Sequence, residues 1–189
     1  MILPDREIAI ALERGLISID PRPTENYFSS TSVDLTLDST LARFKPKAKG
    51  IDVTLDPSDE EFKTEDALIS LTESIVIPLD GLLLGPNTLI LGWSKEFIVL
   101  KIETRLAARV EGKSSLARLG LGVHVTAPTI HAGFSGCIRL EIINHGTIPI
   151  RLRTGMRICQ LIFETTLGTP VRGYSGQFQG QTAPPSPKP

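Results

Sequence analysis

Residues 112–142 of this 189-residue chain read GKSSLARLGLGVHVTAPTIHAGFSGCIRLEI, and most structural and functional expectations start from them. Near the beginning, Ser114–Gly120 predicts a short helix with serine at its cap and glycine at its stop. At the end, Cys137–Ile143 alternates like a strand, with Arg139 and Glu141 on one face and apolar side chains on the other. The stretch therefore predicts a short helix followed by a strand that presents a carboxylate.

Short strands are predicted on both sides of this stretch. Gly and Pro together number 30 and aromatic residues make up only 5%, a mixture that favours strands and turns over a helical bundle. Residues 32–38 alternate apolar and polar side chains, as in a half-buried strand. The other predicted strands are Ser74–Leu79, Thr88–Trp93, Phe97–Lys101, Leu106–Val110, Val123–Thr126, Cys137–Ile143, Ile148–Leu152 and Arg157–Glu164. Their close, fairly even spacing is typical of a barrel or sandwich.

One helix is easily recognised before this stretch. It starts at Pro4 with acidic residues in its first turn, Ile8, Ala11 and Leu12 share a face, and Gly15 supplies the stop. A charged surface excursion with one short helix is predicted for residues 56–73.

The length suffices for one domain, which we place at residues 1–173. Residues 174–189 form a tail whose glycine- and glutamine-rich part, from Gly173 to Gln181, is either a linker or a lid that orders over a ligand. Residues 182–189, TAPPSPKP, cannot build a core, and we expect them to be mobile.

Composition excludes several classes of protein. Two cysteines cannot form a disulfide framework, and they fit a reducing cytoplasm. Charges interrupt the apolar N-terminal run, which is therefore no signal peptide, and no uncharged apolar stretch reaches the roughly 18 residues of a membrane span. We expect a cytoplasmic protein that does not enter a membrane.

The net charge of −1 conceals a gradient along the chain. Residues 51–100 hold two basic and ten acidic groups, whereas residues 101–160 hold nine basic and three acidic groups. Either these are solvated faces of opposite sign, or the basic half receives a compact anion such as a triphosphate. Nucleic acid is not expected as a partner, because the arginines alternate with apolar residues and form no basic run with aromatic partners.

Glu141 is the candidate for proton transfer. A carboxylate in so apolar a strand is costly unless it is paired or hydrogen-bonded. Such surroundings alter proton affinity in the way that a general acid or base requires. The alternative is a structural ion pair with Arg139 or another arginine, and the pattern alone leaves both open.

The segment before the short helix is a candidate phosphate cradle. Its free backbone N–H groups are joined by Lys113 and by the hydroxyls of Ser114 and Ser115. The alternative is an ordinary capped helix. It is not a P-loop, because Ala107 stands where that motif requires glycine.

Zinc chemistry is not expected. The zinc deaminases require His-x-Glu and Pro-Cys-x-x-Cys, so that the ligands converge on one ion, and the chain contains neither pattern. Its three histidines and two cysteines fit no ligand spacing, and there is no Gly-x-Ser-x-Gly motif of a serine hydrolase.

Taken together, the segments resemble the dCTP deaminase family of the dUTPase-like superfamily, nearly from end to end. The most specific match runs from Gly112 to Ala127 and continues from Gly133 to Ile142. The remaining matches are Asp5–Ile8, Ile19–Pro21, Ser32–Asp34, Thr154–Met156 with Gln160, and Tyr174–Gln181.

The resemblance implies a mainly β protein, a dUTPase-like distorted antiparallel β-barrel with a short N-terminal helix and a short active-site helix. It implies a homotrimer with active sites between subunits, dCTP as substrate, and dTTP as an inhibitor. Glu141 would activate water for attack at cytosine C4, giving dUTP and ammonia for dUMP and thymidylate synthesis. Mg²⁺ would be held mainly by the triphosphate and not by protein side chains.

The resemblance also assigns individual roles. Glu141, Ser114 and Arg118 would be catalytic, and Tyr174, Gln177 and Gln181 would close over sugar and phosphates. Gln160 would read the base or support the pocket. The complete set of expected nucleotide-binding residues is Lys113, Ser114, Ser115, Leu116, Ala117, Arg118, Ala127, His131, Arg139, Leu140, Glu141, Gln160, Tyr174, Gln177 and Gln181.

Four residues depart from the family pattern. His131 stands where many relatives have an aspartate that supports phosphate hydrolysis in dUTPases, although its imidazole can still hydrogen-bond the 3′-hydroxyl. Lys113 stands where some relatives have arginine, and Gln177 stands where relatives often have lysine. Arg139 is unusual beside the glutamate. The alternatives are a dUTP diphosphatase, alone or combined with deamination to form dUMP, against which His131 argues, and a non-catalytic nucleotide-binding module.

Overall fold

The computed structural model describes residues 1–46, 54–125, 127–176 and 178–184, and within these ranges the chain is mainly β. The helices are α1 (Asp5–Glu13), α2 (Thr64–Leu71) and α3 (Ser114–Ala117), with 3-10 turns at Glu25–Tyr27 and Ile102–Thr104. The strands are β1 (Ile17–Asp20), β2 (Phe28–Ser29), β3 (Ser32–Thr36), β4 (Thr40–Phe44), β5 (Thr72–Val76), β6 (Leu82–Leu84), β7 (Leu89–Leu100), β8 (Leu106–Gly112), β9 (Leu121–Val123), β10 (Thr129–Ile130), β11 (Ser135–Asn144), β12 (Ile150–Leu152) and β13 (Arg157–Thr165).

The strands form three antiparallel sheets around a shared apolar core. The largest has the order β5-β4-β7-β11-β9, with β1 also paired to β7. The second has the order β10-β8-β13-β3-β2, and the third is the pair β12-β6. Fully buried side chains from both large sheets, such as Leu140 and Phe163, meet in this core. The prediction of a mainly β, antiparallel fold is therefore confirmed.

Helix α1 is confirmed as the sequence predicts it. Ile8, Ala11 and Leu12 are its buried residues, and they form the face that the chain turns towards the core. Gly15 follows the helix with φ of 67°, a left-handed conformation in which glycine carries no Cβ penalty. At nine residues α1 is the longest described helix, well short of the length that crosses a bilayer.

Strand β3 differs from its predicted half-buried form, because all five of its residues are buried. The strand lies between β13 and β2, and its polar side chains find partners inside the protein. The Asp34 carboxylate pairs with the Lys113 ammonium and lies 3.5 Å from the Arg157 guanidinium. Thr36 donates through its hydroxyl to Glu96 at 2.6 Å. Burial here depends on long-range pairing, which alternation of residue types does not encode.

The remaining predicted strands are confirmed with shifted ends. Two predicted strands, Thr88–Trp93 and Phe97–Lys101, form the single strand β7, and the predicted Val123–Thr126 strand lies earlier, at β9. Five strands were not predicted from the sequence: β1, β2, β4, β6 and β10. The short helix predicted within residues 56–73 is α2.

Replacing Leu140 by alanine should lower the free energy of unfolding by about 2–5 kcal/mol, because the side chain is fully buried and truncation leaves a cavity. Urea denaturation at one fixed protein concentration measures the change. The matched control is Leu167→Ala at a fully exposed position, for which we expect a change within about 0.5 kcal/mol. Equal losses in the two variants would contradict the burial described here.

Candidate active site

A cavity of about 460 Å³ opens beside β11 and collects several of the predicted site residues. Strands β10 and β11 form one wall, helix α2 contributes another, and the C-terminal tail closes a third side. Its size suits a small-molecule ligand. The predicted residues that line it are Ala127, His131, Arg139, Glu141, Tyr174 and Gln181.

Glu141 presents its carboxylate to this cavity. One third of its side chain is exposed, and Oε2 lies 3.6 Å from Nδ1 of His124. His124 has a left-handed backbone (φ of 69°), and its N–H donates to the Glu141 carbonyl at 2.7 Å, which positions the imidazole beside the carboxylate. No arginine side chain among the described residues comes within 4.0 Å of this carboxylate. The geometry therefore favours a chemically available carboxylate over the structural ion pair.

Arg139 lies on the same face of β11 as Glu141, but its side chain turns towards β7, on the other side of β11 from β9. It pairs across the sheet with Trp93, and its Cζ lies 4.9 Å from the centroid of the indole ring. Its Nε is buried and has no hydrogen-bond acceptor among the described residues. Burial lowers the pKa of this guanidinium, and the negative charges of Glu65 and Glu141 oppose that effect.

An aromatic cluster forms the end of the cavity near β10. The His131 and Tyr174 rings stack with centroids 5.6 Å apart and an interplanar angle of 12°. Phe134 packs against the same tyrosine at 5.9 Å in a tilted arrangement. His131 thus contributes a flat surface to the cavity.

The C-terminal tail is tied to β11 through its backbone. Tyr174 N donates to Ala132 O at 3.0 Å, and Cys137 N donates to Gln181 O at 2.8 Å. These bonds bring Tyr174, Phe178 and Gln181 into the cavity wall. Gln177, expected to contact phosphate, lies outside the described residues, as do positions 185–189 of the segment predicted to be mobile.

The predicted phosphate-binding segment is placed elsewhere. None of the six described residues 113–118 lines the cavity that contains Glu141. Ser114, Ser115, Ala117 and Arg118 are exposed, while Leu116 packs against the core. Within one chain, therefore, the predicted catalytic serine and arginine are separate from the predicted catalytic glutamate.

The start of α3 also differs from the predicted serine cap. The cap position belongs to Lys113 and makes no side-chain cap hydrogen bond. The N–H groups of Leu116 and Ala117 both donate to the Lys113 carbonyl at 2.9 Å. Because Lys113 also pairs with Asp34, its ammonium is already neutralised by a buried carboxylate.

Two further predicted nucleotide-binding residues, Leu140 and Gln160, do not line the cavity. Leu140 is fully buried on the face of β11 opposite Glu141, so its expected contact with the nucleotide stays a prediction that only its backbone can meet. Alternation along the strand is the reason. Gln160 accepts from the Ser32 hydroxyl at 2.8 Å and donates to the Gly112 carbonyl at 3.4 Å. Of its two suggested roles, this geometry favours support of the turn that leads into α3.

A family model described as dCTP deaminase-like matches residues 2–166. The chain belongs to the dCTP deaminase-like family.

Curated relatives agree in sequence over most of the chain. A protein of Methanobrevibacter smithii named "dCTP deaminase, dUMP-forming" is 40% identical over 87% of this chain and 80% of its own length. The protein with the same name from Methanothermobacter thermautotrophicus is 37% identical, covering 97% and 91%. A Marinomonas protein named "dCTP deaminase" is 40% identical, covering 97% and 95%.

A solved structure shares the fold. The crystal structure of 2′-deoxycytidine 5′-triphosphate deaminase from Agrobacterium tumefaciens matches with a TM-score of 0.67 and 22% identity. The match covers 87% of this chain and 48% of that protein, so the chain spans about half of its length. At this identity the likeness concerns the fold alone.

Several cavity residues of this family member were not predicted from its sequence. Thr64, Glu65 and Leu68 come from α2, which the charged segment predicts only as a surface excursion. Phe178 was considered only as one aromatic residue of the tail. His124 does not line the cavity but lies beside Glu141, and the sequence marks it only as a scattered histidine. No local pattern marks these positions, because tertiary packing brings them to β11.

The described residues contain no cluster of three or more His, Cys, Asp and Glu side chains arranged to hold a metal ion. Glu65 and Glu141 are the carboxylates that line the cavity in this part of the chain. Such a donor set fits Mg²⁺ only if a ligand supplies most of the oxygen atoms, because that ion prefers octahedral oxygen coordination.

Deleting residues 174–189 should speed hydrogen exchange at the Cys137 amide, because its acceptor, the Gln181 carbonyl, is removed. Exchange followed by NMR measures the effect. The neighbouring Ile138 amide is an internal control, since it donates to the Ser94 hydroxyl at 2.8 Å and keeps that partner. Unchanged protection of Cys137 would mean that the tail does not dock on β11.

Proposed function

We propose that this chain removes the 4-amino group of dCTP, producing dUTP and ammonia. The observation that carries the proposal is the Glu141 carboxylate, which reaches a ligand-sized cavity without pairing to an arginine among the described residues. The names of relatives at 36–40% identity support the choice of substrate. The product would feed dUMP and thymidylate synthesis.

Glu141 acts as the proton carrier in the proposed reaction. The carboxylate takes a proton from water as the water oxygen bonds to C4 of cytosine, and the C4–N3 π electrons move to N3. Glu141 then delivers the proton to N3. It next carries the remaining proton of the C4 hydroxyl to the 4-amino nitrogen, and the electrons of that O–H bond form the C4 carbonyl as the C4–N4 bond breaks and ammonia leaves. His124, 3.6 Å away, is placed to orient the carboxylate through these transfers.

The tail and the β10–β11 segment bind the nucleoside in this proposal. The His131 and Tyr174 rings supply a flat surface for the deoxyribose, and the His131 imidazole can hydrogen-bond the 3′-hydroxyl. Backbone groups at Ala127 and the side chain of Gln181 border the base. Closure of the tail excludes water other than the attacking molecule.

A neighbouring copy of the chain completes the proposed site. Ser114 and Arg118 are exposed on α3, and they do not line the Glu141 cavity of their own chain. The adjacent Leu119 is 65% exposed, as expected of an apolar side chain that becomes covered on assembly. We therefore place three active sites between the subunits of a homotrimer, with α3 of one subunit facing the Glu141 cavity of the next.

Magnesium enters the proposal as part of the substrate complex. The ion would be held by triphosphate oxygens and water, and it would neutralise phosphate charge. Proton transfer at cytosine is assigned to Glu141 and needs no zinc.

Formation of dUMP is the second candidate. Three relatives are named "dCTP deaminase, dUMP-forming", and a fourth is named "dCTP deaminase". His131, stacked on Tyr174, argues against it because the aspartate associated with phosphate hydrolysis is absent at this position. Chromatography of the reaction products decides, since dUMP and pyrophosphate in place of dUTP would establish the second candidate.

Glu141→Gln should abolish ammonia release from dCTP and leave dCTP binding within a few-fold of wild type. The amide keeps the shape of the side chain but cannot accept and return the proton. Ammonia assays and calorimetric titration with dCTP and Mg²⁺ measure the two effects. Glu164→Gln, which changes a half-exposed carboxylate on β13, is the control. Turnover by Glu141→Gln at the wild-type rate would refute the mechanism.

Mixing two inactive variants, Glu141→Gln and Arg118→Ala, should restore activity after subunit exchange. Each site would take its glutamate from one chain and its arginine from another, so an equal mixture should recover about a quarter of wild-type activity. Each variant mixed with itself is the control. Absence of recovery, with mixed trimers demonstrated by native mass spectrometry, would place both residues in the site of a single chain.

A further inference from the structure

Arg139 is a cationic side chain that lines the Glu141 cavity, and it takes no part in the proton transfers assigned to Glu141. Its guanidinium makes no hydrogen bond or ion pair to any described residue, and its Nε is buried. The contact with the Trp93 ring provides no hydrogen-bond acceptor for its N–H groups. A buried donor without an acceptor costs free energy, unless a ligand supplies that acceptor.

The sheet geometry places Arg139 and Glu141 on two sides of one space. The residues are two positions apart on the same face of β11, which separates their backbones by roughly 7 Å. Arg139 leans towards β7, where it covers Trp93, and Glu141 leans towards β9, where it meets His124. A flat ring inserted between them would have one edge at the guanidinium and another at the carboxylate.

The charges around Arg139 disfavour a phosphate at this position. Glu65 and Glu141 border the same cavity, and both oppose the effect of burial on the Arg139 pKa, so two negative charges lie near one positive charge. A triphosphate would be repelled by both carboxylates. A neutral acceptor, such as a carbonyl oxygen, receives the arginine donors without that cost.

We propose that Arg139 donates to the C2 carbonyl oxygen of cytosine and stabilises the charge that develops during the reaction. The inference rests on the proposed function. When water adds at C4, the electron pair of the C4–N3 double bond moves to N3 and is shared with O2 through C2. The guanidinium holds this charge at O2 while N3 receives its proton from Glu141, and Arg139 leaves the step unchanged in protonation.

The interaction is stronger in the transition state than with bound dCTP, because O2 carries more negative charge there. Arg139→Gln should therefore lower kcat by about 100-fold, the size seen when one donor to a developing oxyanion is removed. Binding of dCTP, measured in a Glu141→Gln background, should weaken by about tenfold or less. Arg139→Lys keeps the charge and should recover part of the rate.

The decisive experiment compares dCTP with 2-thio-dCTP, in which sulfur replaces O2 and accepts hydrogen bonds weakly. Wild type should prefer dCTP in kcat/KM by at least tenfold, and Arg139→Gln should lose most of that preference. Arg43→Gln is the matched control, because this arginine lies on β4 of the same sheet, is exposed and pairs with Glu73. It should retain the wild-type preference. Thermal unfolding and native mass spectrometry verify each variant. Arg139→Met, which keeps an apolar stem against Trp93 but has no donor, replaces Arg139→Gln if the latter does not fold.

The outcomes separate this inference from the proposed function. If ammonia is released from dCTP but wild type and Arg139→Gln show the same kcat/KM ratio for dCTP over 2-thio-dCTP, the role of Arg139 is overturned. The deaminase function is then unaffected. Binding of both nucleotides without ammonia release refutes the deaminase. In that case the dissociation constants of dCTP and 2-thio-dCTP are compared in wild type and in Arg139→Gln. The same ratio in both proteins overturns the O2 contact. Failure to bind either nucleotide refutes both.

Discussion

The alternation of side chains along β11 is the constraint on which the rest of the site depends. Ile138, Leu140 and Ile142 are buried in the core, and this burial sets the register of the strand against β7. Arg139 and Glu141 consequently face outwards, opposite Trp93 and Leu91. A shift of one residue would place both charged groups in the core, where neither has a partner, so the register is strongly determined.

The two flanks of β11 then give its outward side chains different surroundings. On one side, the left-handed backbone of His124 places an imidazole beside Glu141. On the other, Trp93 offers an apolar and polarisable face to Arg139. Residues of α2 and of the tail line the same cavity as both groups, which reduces solvent screening between them. The same face of β11 thus carries a carboxylate and a hydrogen-bond donor two residues apart.

Much of this could be predicted from local pattern. Alternation identified β11 and the outward direction of Glu141, and the spacing of apolar residues identified α1. The prediction failed where partners come from distant segments. Strand β3 looks half-buried, yet Asp34 is buried because Lys113 and Arg157 reach it from elsewhere in the chain. The predicted serine cap of α3 failed for a local reason: the helix begins one residue earlier, and the carbonyl of Lys113 accepts the first helical hydrogen bonds.

The sequence by itself determined the mainly β fold, the family, and the strand that carries the glutamate, because periodicity and motif are local properties of the chain. Tertiary structure decided which side chains surround that glutamate: α2 and the tail cover it, while α3 of the same chain does not line its cavity. It also decided that the Glu141 carboxylate faces His124 while Arg139 covers Trp93. These outcomes depend on how separate strands and loops pack, and packing energy is summed over distant contacts that no short segment specifies.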